Sequence, residues 1–421
     1  MKNLGDKLKA HLKKDGVLAT LLYSFKYLYF KFQLLVLFFN LKKRLAKRNY
    51  EIKHGLTIAE VRKKTLQFTE SLRLPNGPYG RYRYAPGQDG PVLYASLYAA
   101  LTRHLYNDLA DLSTIKRQEW IDYIKSFQSA DGWFRDPAIA CELAETADWW
   151  GWRHLTLHAV MALSCLGAVV DRPFKILESF KDKNFIEAWF KNLHITPYPS
   201  PKMNAHLPLI VVTLLQYARD YQGATWADSA IRKIISLLNA QIDPETGCWC
   251  TGGGQKNLIN DGVKIAYHFW IFYFYDKLPI KFPERAIDSL LFTQNRFSGF
   301  DNSINSSACD DIDSIDPLCR LIGIIDYKKS EIKNSLHQAL PWVLINLNQD
   351  GGFVFKRKQS FKYGHDKMYS GINESNLFAT WFRTLSLAYI GKALPDSWAG
   401  RFDWRLDAIP GLQFWQPDNK K

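Results

Sequence analysis

Four aspartates, Asp310, Asp311, Asp313 and Asp316, fall within seven positions of "SSACDDIDSIDPLCRL" and run directly into apolar sequence. Three chemistries suit that spacing. On a helix, Asp310, Asp313 and Asp316 share one face while Asp311 points aside. If that face tops an apolar cavity, mutual repulsion and lost hydration hold at least one carboxyl in its protonated form, which makes it a proton donor. Acids in a first helical turn also complement the helix dipole and cap free amides. Carboxylates can finally hold Mg2+ for a diphosphate substrate. The choice depends on what surrounds the cluster.

One recurring phrase organises the chain that must position it. "QSADGWF", "QIDPETGCW", "QNRFSGF" and "NQDGGFVF" begin at Gln128, Gln241, Gln294 and Asn348. Their aromatics, Trp133, Trp249, Phe300 and Phe353, are spaced as one helical hairpin plus a turn, with one copy missing between the first two. Each phrase closes an amphipathic helical pattern, and a more apolar helix follows it. Six helices of each kind alternate, and strand signals are almost absent. This pattern predicts an all-α (α/α)6 toroid, a double ring with amphipathic helices outside and apolar ones inside. All inner helices would then start at one end of the barrel.

The first turns of the inner helices thus collect a candidate site. They supply Trp152, Arg153 and His154, then Asn204 and His206, then Lys264, Tyr267 and His268, then the aspartates, and last Asn373 and Glu374. Such a concentration of polar and aromatic groups at one end of apolar helices predicts a lined pocket that binds substrate. Trp152 and Tyr267 are placed to offer ring faces to a cation or a sugar. His158 reads as a structural histidine and Trp150 as core.

The formal charge of +14 is concentrated at one end: residues 1–53 hold 13 Lys and Arg against 3 acids. A nucleic-acid surface spread over the fold is a poor match. The same segment carries "DGVLATLLYSFKYLYFKFQLLVLFFNLKKRLAKR", whose aromatics and flanking lysines predict a helix at the interface of an anionic membrane. Lys26 and Lys31 interrupt it, which disfavours a simple span. Six cysteines without a disulfide framework suit a reducing cytoplasm, with the protein attached peripherally to the membrane. The expected organisation is a basic, amphipathic and apolar membrane-associating helical segment over 1–54, the toroid over 55–400 and a C-terminal tail over 401–421.

The repeated turns resemble the QW motifs of squalene-hopene-type cyclases, in the terpenoid cyclase and protein prenyltransferase superfamily, and the likeness covers about residues 57 to 392. "QSADGWF" and "NQDGGFVF" are the nearest copies. Class II cyclases start carbocation formation with an Asp-x-Asp-Asp acid, which here aligns with Asp311-Ile312-Asp313-Ser314, with Ser314 in place of the last Asp. The resemblance implies a membrane-associated isomerase or lyase acting on a lipid or isoprenoid-derived small molecule. Asp313 would be the proton donor, Asp310 and Asp311 its companions, and no cofactor would be needed beyond the Mg2+ option. A carbohydrate-active toroid of lyase or glycosidase type is the rival reading, with Asn204, His206, Tyr267 and Arg153 as its acid, base and anion-holding set. A non-catalytic scaffold is the third.

Overall fold

The computed structural model describes residues 4–193, 195 and 205–411, with the side chains of the first helix from residue 22 onward. Asn204, one of the expected substrate-binding residues, lies outside the described residues. The fold is helical almost throughout. Its helices are α1 (Leu4–His54), α2 (Ile58–Ser71), α3 (Leu93–Leu105), α4 (Thr114–Lys125), α5 (Glu142–Thr146), α6 (Trp152–Leu166) and α7 (Lys183–Asn192). They continue with α8 (His206–Tyr221), α9 (Ala227–Asn239), α10 (Ile259–Tyr275), α11 (Pro283–Phe292), α12 (Ala308–Ile324), α13 (Lys329–Leu344) and α14 (Leu377–Ala393). A two-residue pair, β1 (Phe361–Lys362) and β2 (Tyr369–Ser370), forms an antiparallel hairpin between α13 and α14.

The helices sort by burial as the apolar pattern requires. In α3, α6, α8, α10, α12 and α14 most side chains are buried, on all sides of the helix. In α2, α4, α7, α9 and α11 only one stripe is. Packing among the buried six is cyclic: α3 packs on α6, α6 on α8, α8 on α10, α10 on α12, α12 on α14, and α14 returns to α3. Of the half-exposed helices, α4 packs on α6, α9 on α8, α11 on α10 and α12, and α13 on α12 and α14.

The glutamine of the repeated phrase has a defined task. Gln128 Nε2 donates to Gly132 O (3.1 Å), closing its own turn, and to Arg172 O (3.0 Å) in the next segment. Gln294 repeats this with Ser298 O (3.2 Å) and Ser335 O (3.0 Å), the latter in α13. Three of the four turns also carry a single antiparallel bridge, at Gln128–Phe134, Gln294–Phe300 and Leu347–Phe353. A fourth bridge, Arg73–Tyr82, marks a turn whose sequence has neither Gln nor Asp-Gly, and which pattern reading missed. The last turn reaches the first hairpin. Gly351, at φ +90°, lies against the Lys64 carbonyl, and Thr65 Oγ1 donates to Gly351 O (2.9 Å). Only glycine combines that φ with that approach.

Three expectations need correction. Trp133 is only partly buried, whereas Phe134 is fully buried at the bridge and is the true counterpart of Phe300 and Phe353. Residues 401–411 are no free tail: Trp404 and Ile409 join the main core, and Gly411 packs on Leu157, Met161 and Thr213. They pass the C-terminal end of α3, where Arg405 N donates to Leu105 O (3.2 Å) and Asp407 lies 3.2 Å from His104, the end away from the aspartates, before Gly411 reaches the middle of α6 and α8. The apolar side chains of α1 occupy most of its circumference between residues 22 and 36, so it has no two-faced amphipathic character there. Among the described residues no helix is long and apolar enough to cross a membrane.

Candidate active site

The N-terminal turns of the six buried helices meet through side chains. Tyr94 OH on α3 lies 2.9 Å from His154 Nδ1 on α6, and the His154 ring is 6.0 Å from that of His206 on α8. The His206 ring is 4.3 Å from His268 on α10, and Lys264 Nζ, one turn before His268, is 2.9 Å from Asp310 Oδ1 on α12. Asp311 pairs with Arg383 on α14, and Trp381 stacks at 5.4 Å on Tyr98 of α3. Along α10, Asp261, Lys264 and His268 are partly exposed while their neighbours are buried, and Cys309 and Asp310 of α12 face them in the same state. We take these neighbouring, partly exposed positions as the lining of a candidate recess at that end.

Within the recess the four aspartates have separate fates. Asp310 completes a capping box, since its carboxylate accepts from Ser307 N (2.8 Å) while Ser307 Oγ accepts from Asp310 N (3.2 Å). Burial pushes its pKa up, but the Lys264 ammonium and the Ser307 bonds outweigh that and hold it below the usual carboxylate range. Asp311 is fully buried and accepts from Phe300 N (2.9 Å), Ser306 Oγ (2.6 Å), Trp342 Nε1 (2.9 Å) and Arg383. Thr156 and Thr380 accept the matching amides of Phe134 and Phe353 in the other turns, so Asp311 holds a strut position. The expectation that Asp311 takes part in chemistry is corrected accordingly, because its carboxylate has no open side. Asp316 bonds Arg320, which also donates to Tyr389 OH (2.9 Å), and burial against this cation sets its pKa at about 6.

Asp313 differs from all three. It is buried, and among the described residues its carboxyl has no hydrogen-bond partner. Burial above all, then the Asp310 charge with smaller contributions from Asp311 and Asp316, pushes its pKa well above the usual range against the pull of Lys264. Asp313 therefore keeps its proton where ordinary carboxyls lose theirs. Tyr267 is buried close enough to Asp313 and Asp316 for their charges to raise its own pKa further, after burial. Lys264 also lies 3.7 Å from Asp301, so its ammonium takes the place between two carboxylates that a cation would take. Among the described residues no three His, Cys, Asp or Glu side chains converge as metal ligands.

The histidines are neutral bases. His158 Nδ1 donates to His154 O (2.8 Å) and His268 Nδ1 to Lys264 O (2.6 Å), which leaves both Nε2 atoms as lone-pair acceptors. Burial lowers the pKa of each to about 4. His154, lowered well below its ordinary value by burial and the neighbouring imidazoles, sits between Tyr94 OH and Tyr363 OH (3.4 Å).

An aromatic wall completes the recess, and most of it escaped pattern reading. Tyr94 and Tyr98 on α3 continue into Phe378, Trp381 and Phe382 on α14, with Tyr363 of the β1–β2 hairpin stacked on Phe378 at 4.6 Å. Cys309 links wall and acids: its thiol, raised by burial, feels Asp313 and Asp310 and is felt by Tyr84, Tyr98 and Tyr363. The i, i+3, i+4 spacing of the aromatics was the available signal.

Other expected substrate-binding residues fare unevenly. His154, His206, Lys264, Tyr267 and His268 come together as described. Arg153 lies toward the rim, 3.4 Å from Asp148 and bonded to Glu145 O. Trp152 is buried at the start of α6, with an indole N–H lacking a partner among the described residues. Asn373 and Glu374 are ties, which corrects their assignment to substrate: Asn373 Oδ1 accepts from Lys358 N (2.9 Å), and Glu374 accepts from Gly87 N (2.7 Å) and Gly371 N (2.6 Å). No protein-family model and no curated protein sequence matches the chain.

Proposed function

We propose that this chain is an (α/α)6 toroid and a membrane-associated, cyclase-like enzyme that starts its reaction with a proton from Asp313. The cyclic packing of the six buried helices and the reach of the last turn to α2 support the toroid. The observation that carries the chemistry is Asp313 itself, a buried carboxyl held protonated, without a hydrogen-bond partner, in a recess walled by aromatic rings. Its proton passes to a carbon of an isoprenoid double bond, whose π electrons form the new C–H bond and leave a carbocation. Ring faces such as those of Tyr98, Trp381 and Phe378 stabilise positive charge without offering a nucleophile. Lys264 compensates the carboxylate that remains. Loss of a proton to a neutral imidazole, of which His268 Nε2 is the nearest in sequence to Lys264, ends the reaction as an isomerisation.

The test uses D2O. Polyprenyl lipids incubated with the enzyme should yield a product isomeric with the substrate and carrying one solvent deuteron. A product without solvent deuterium would remove the acid-initiated mechanism. A second reading draws on the Tyr94–His154–Tyr363 chain, a base and two phenols of the kind that abstracts a proton beside a uronate carboxylate. Under that reading, oligosaccharides with uronate residues are cleaved to unsaturated products that absorb in the ultraviolet, and polyprenyl lipids are left unchanged.

A further inference from the structure

We infer that α1 docks this protein on an anionic bilayer and holds the mouth of the recess at headgroup level, so that a lipid substrate enters from the membrane. The inference rests on the lipid reading above and adds which surface docks and how the site is turned toward it.

Leu22, Phe25, Tyr29, Phe32, Val36 and Phe39 follow one another at three- and four-residue steps and are all exposed, so they form a continuous apolar stripe on a helix that between residues 22 and 36 is apolar on most of its other sides as well. The stripe ends where Lys42, Lys43, Arg44 and Lys47 begin, and these are exposed as well. No acidic residue occurs between Asp15 and Glu51. That charge pattern decides the occupant. A second copy of the stripe would bring Lys26, Lys31 and the basic cluster against their own kind, whereas anionic headgroups complement all of them. The order along α1 then sets depth: the stripe enters the acyl boundary and the basic cluster lies among the phosphates.

The body is fixed to α1 at the transition between those two zones. Leu37, Phe38 and Leu41 cluster with Phe297 and Ile304, with the Phe38 and Phe297 rings 5.1 Å apart. Arg296 adds its guanidinium 4.4 Å from the Phe38 ring. The same loop carries Asp301, 3.7 Å from the Lys264 ammonium inside the recess. One loop therefore touches the docking helix on one side and the mouth on the other. A bilayer bound along α1 meets the N-terminal ends of the buried helices, and the end covered by residues 401–411 faces away.

The experiment combines cosedimentation with hydrogen exchange on the full chain, using vesicles of phosphatidylcholine mixed with phosphatidylglycerol and vesicles of phosphatidylcholine alone. The expected result is binding to the anionic vesicles, with exchange slowed over residues 22–39 and 296–304 and unchanged over 277–281 at the opposite end. Phe25→Glu with Phe32→Glu alters side chains that touch none of the core and should lower partitioning about tenfold or more. Protection over 277–281, or no preference for anionic vesicles, would overturn the inference. So would a doubling of mass in solution that the same variants abolish, which assigns the stripe to a second copy. None of these readouts requires turnover. Docking that persists in a chain inactive on every lipid would remove the enzyme reading and leave the orientation standing.

Discussion

Replacing Asp311 by Asn should destabilise the fold far more than it alters chemistry. Asp311 and Arg383 are both fully buried, and the carboxylate gathers four donors from three segments, the 294–306 loop, α13 and α14. Asparagine keeps the shape but removes the charge, leaving the guanidinium buried without a counter-ion and turning an N–H2 toward donors. Breaking a buried pair from one side costs about 3–5 kcal/mol. The unfolding entropy, about 2.1 cal/mol/K per residue over about 360 residues, is about 0.75 kcal/mol/K, so Tm should fall by about 4–7 °C. Thermal melts followed by far-ultraviolet circular dichroism give the shift directly. The double variant Asp311→Leu with Arg383→Met removes both charges and should recover much of the loss, because the desolvation of both ions is removed together. A single variant melting within 1 °C of the parent would refute the strut assignment, as would a double variant that loses the sum of the two single effects.

Phe134→Ala should cost about 3–5 kcal/mol, as removal of a fully buried aromatic does, and Trp133→Ala clearly less; equal losses in denaturant titrations would contradict the assignment of the wedge. Gly351→Ala sets a methyl against the Lys64 carbonyl at a positive φ and should destabilise by more than 2 kcal/mol, while Gly253→Ala, also at positive φ but with nothing nearby, should cost only about 1 kcal/mol. Equal effects would mean that the last turn does not bear on α2. Acid should unfold the protein through its imidazoles. His158 and His268 have folded pKa values depressed to about 4 from about 6.5, so the stability they contribute is present above pH 6.5 and lost as pH falls toward 4. His158→Gln should flatten that part of the stability curve, and an unchanged curve would show that the imidazole already titrates normally.

The legible part of this fold lay in repetition. Apolar periodicity located all six buried helices, and the Gln-to-aromatic phrase located most of the turns; at Gln128 and Gln294 the glutamine bonds both its own turn and the next segment. The turn at 73–82 escaped because Arg73 stands where the phrase has Gln and no Asp-Gly follows it, although Tyr82 keeps the aromatic. Helical spacing set Asp311 apart from Asp310, Asp313 and Asp316, yet could not show that its partner is Arg383, 72 positions away. Arg383 itself lies among apolar residues of α14, where its charge was a sign of a buried acid. Asn373 and Glu374 were placed in the site because they precede an inner helix, but their side chains turn back to loop amides. The β1–β2 hairpin, at two residues a strand, leaves no alternating pattern to read, and Tyr363 came into the recess unannounced.

Turnover of Asp313→Asn beside its melting curve decides whether Asp313 supplies the proton. The parent carboxyl is neutral through its raised pKa, so a neutral amide of the same shape should change stability by only about 1 kcal/mol. The stability that a raised carboxyl pKa contributes is fully present below the unfolded value near 4 and is lost as pH climbs through the folded one, so the variant should also lose stability less steeply toward high pH. Activity of the parent should decline over that same rise as the acid form disappears. The variant should melt with the parent, still bind a long-chain tertiary ammonium as a mimic of the carbocation, and turn over no substrate. A variant that folds normally and retains the parent's rate would contradict Asp313 as the proton donor.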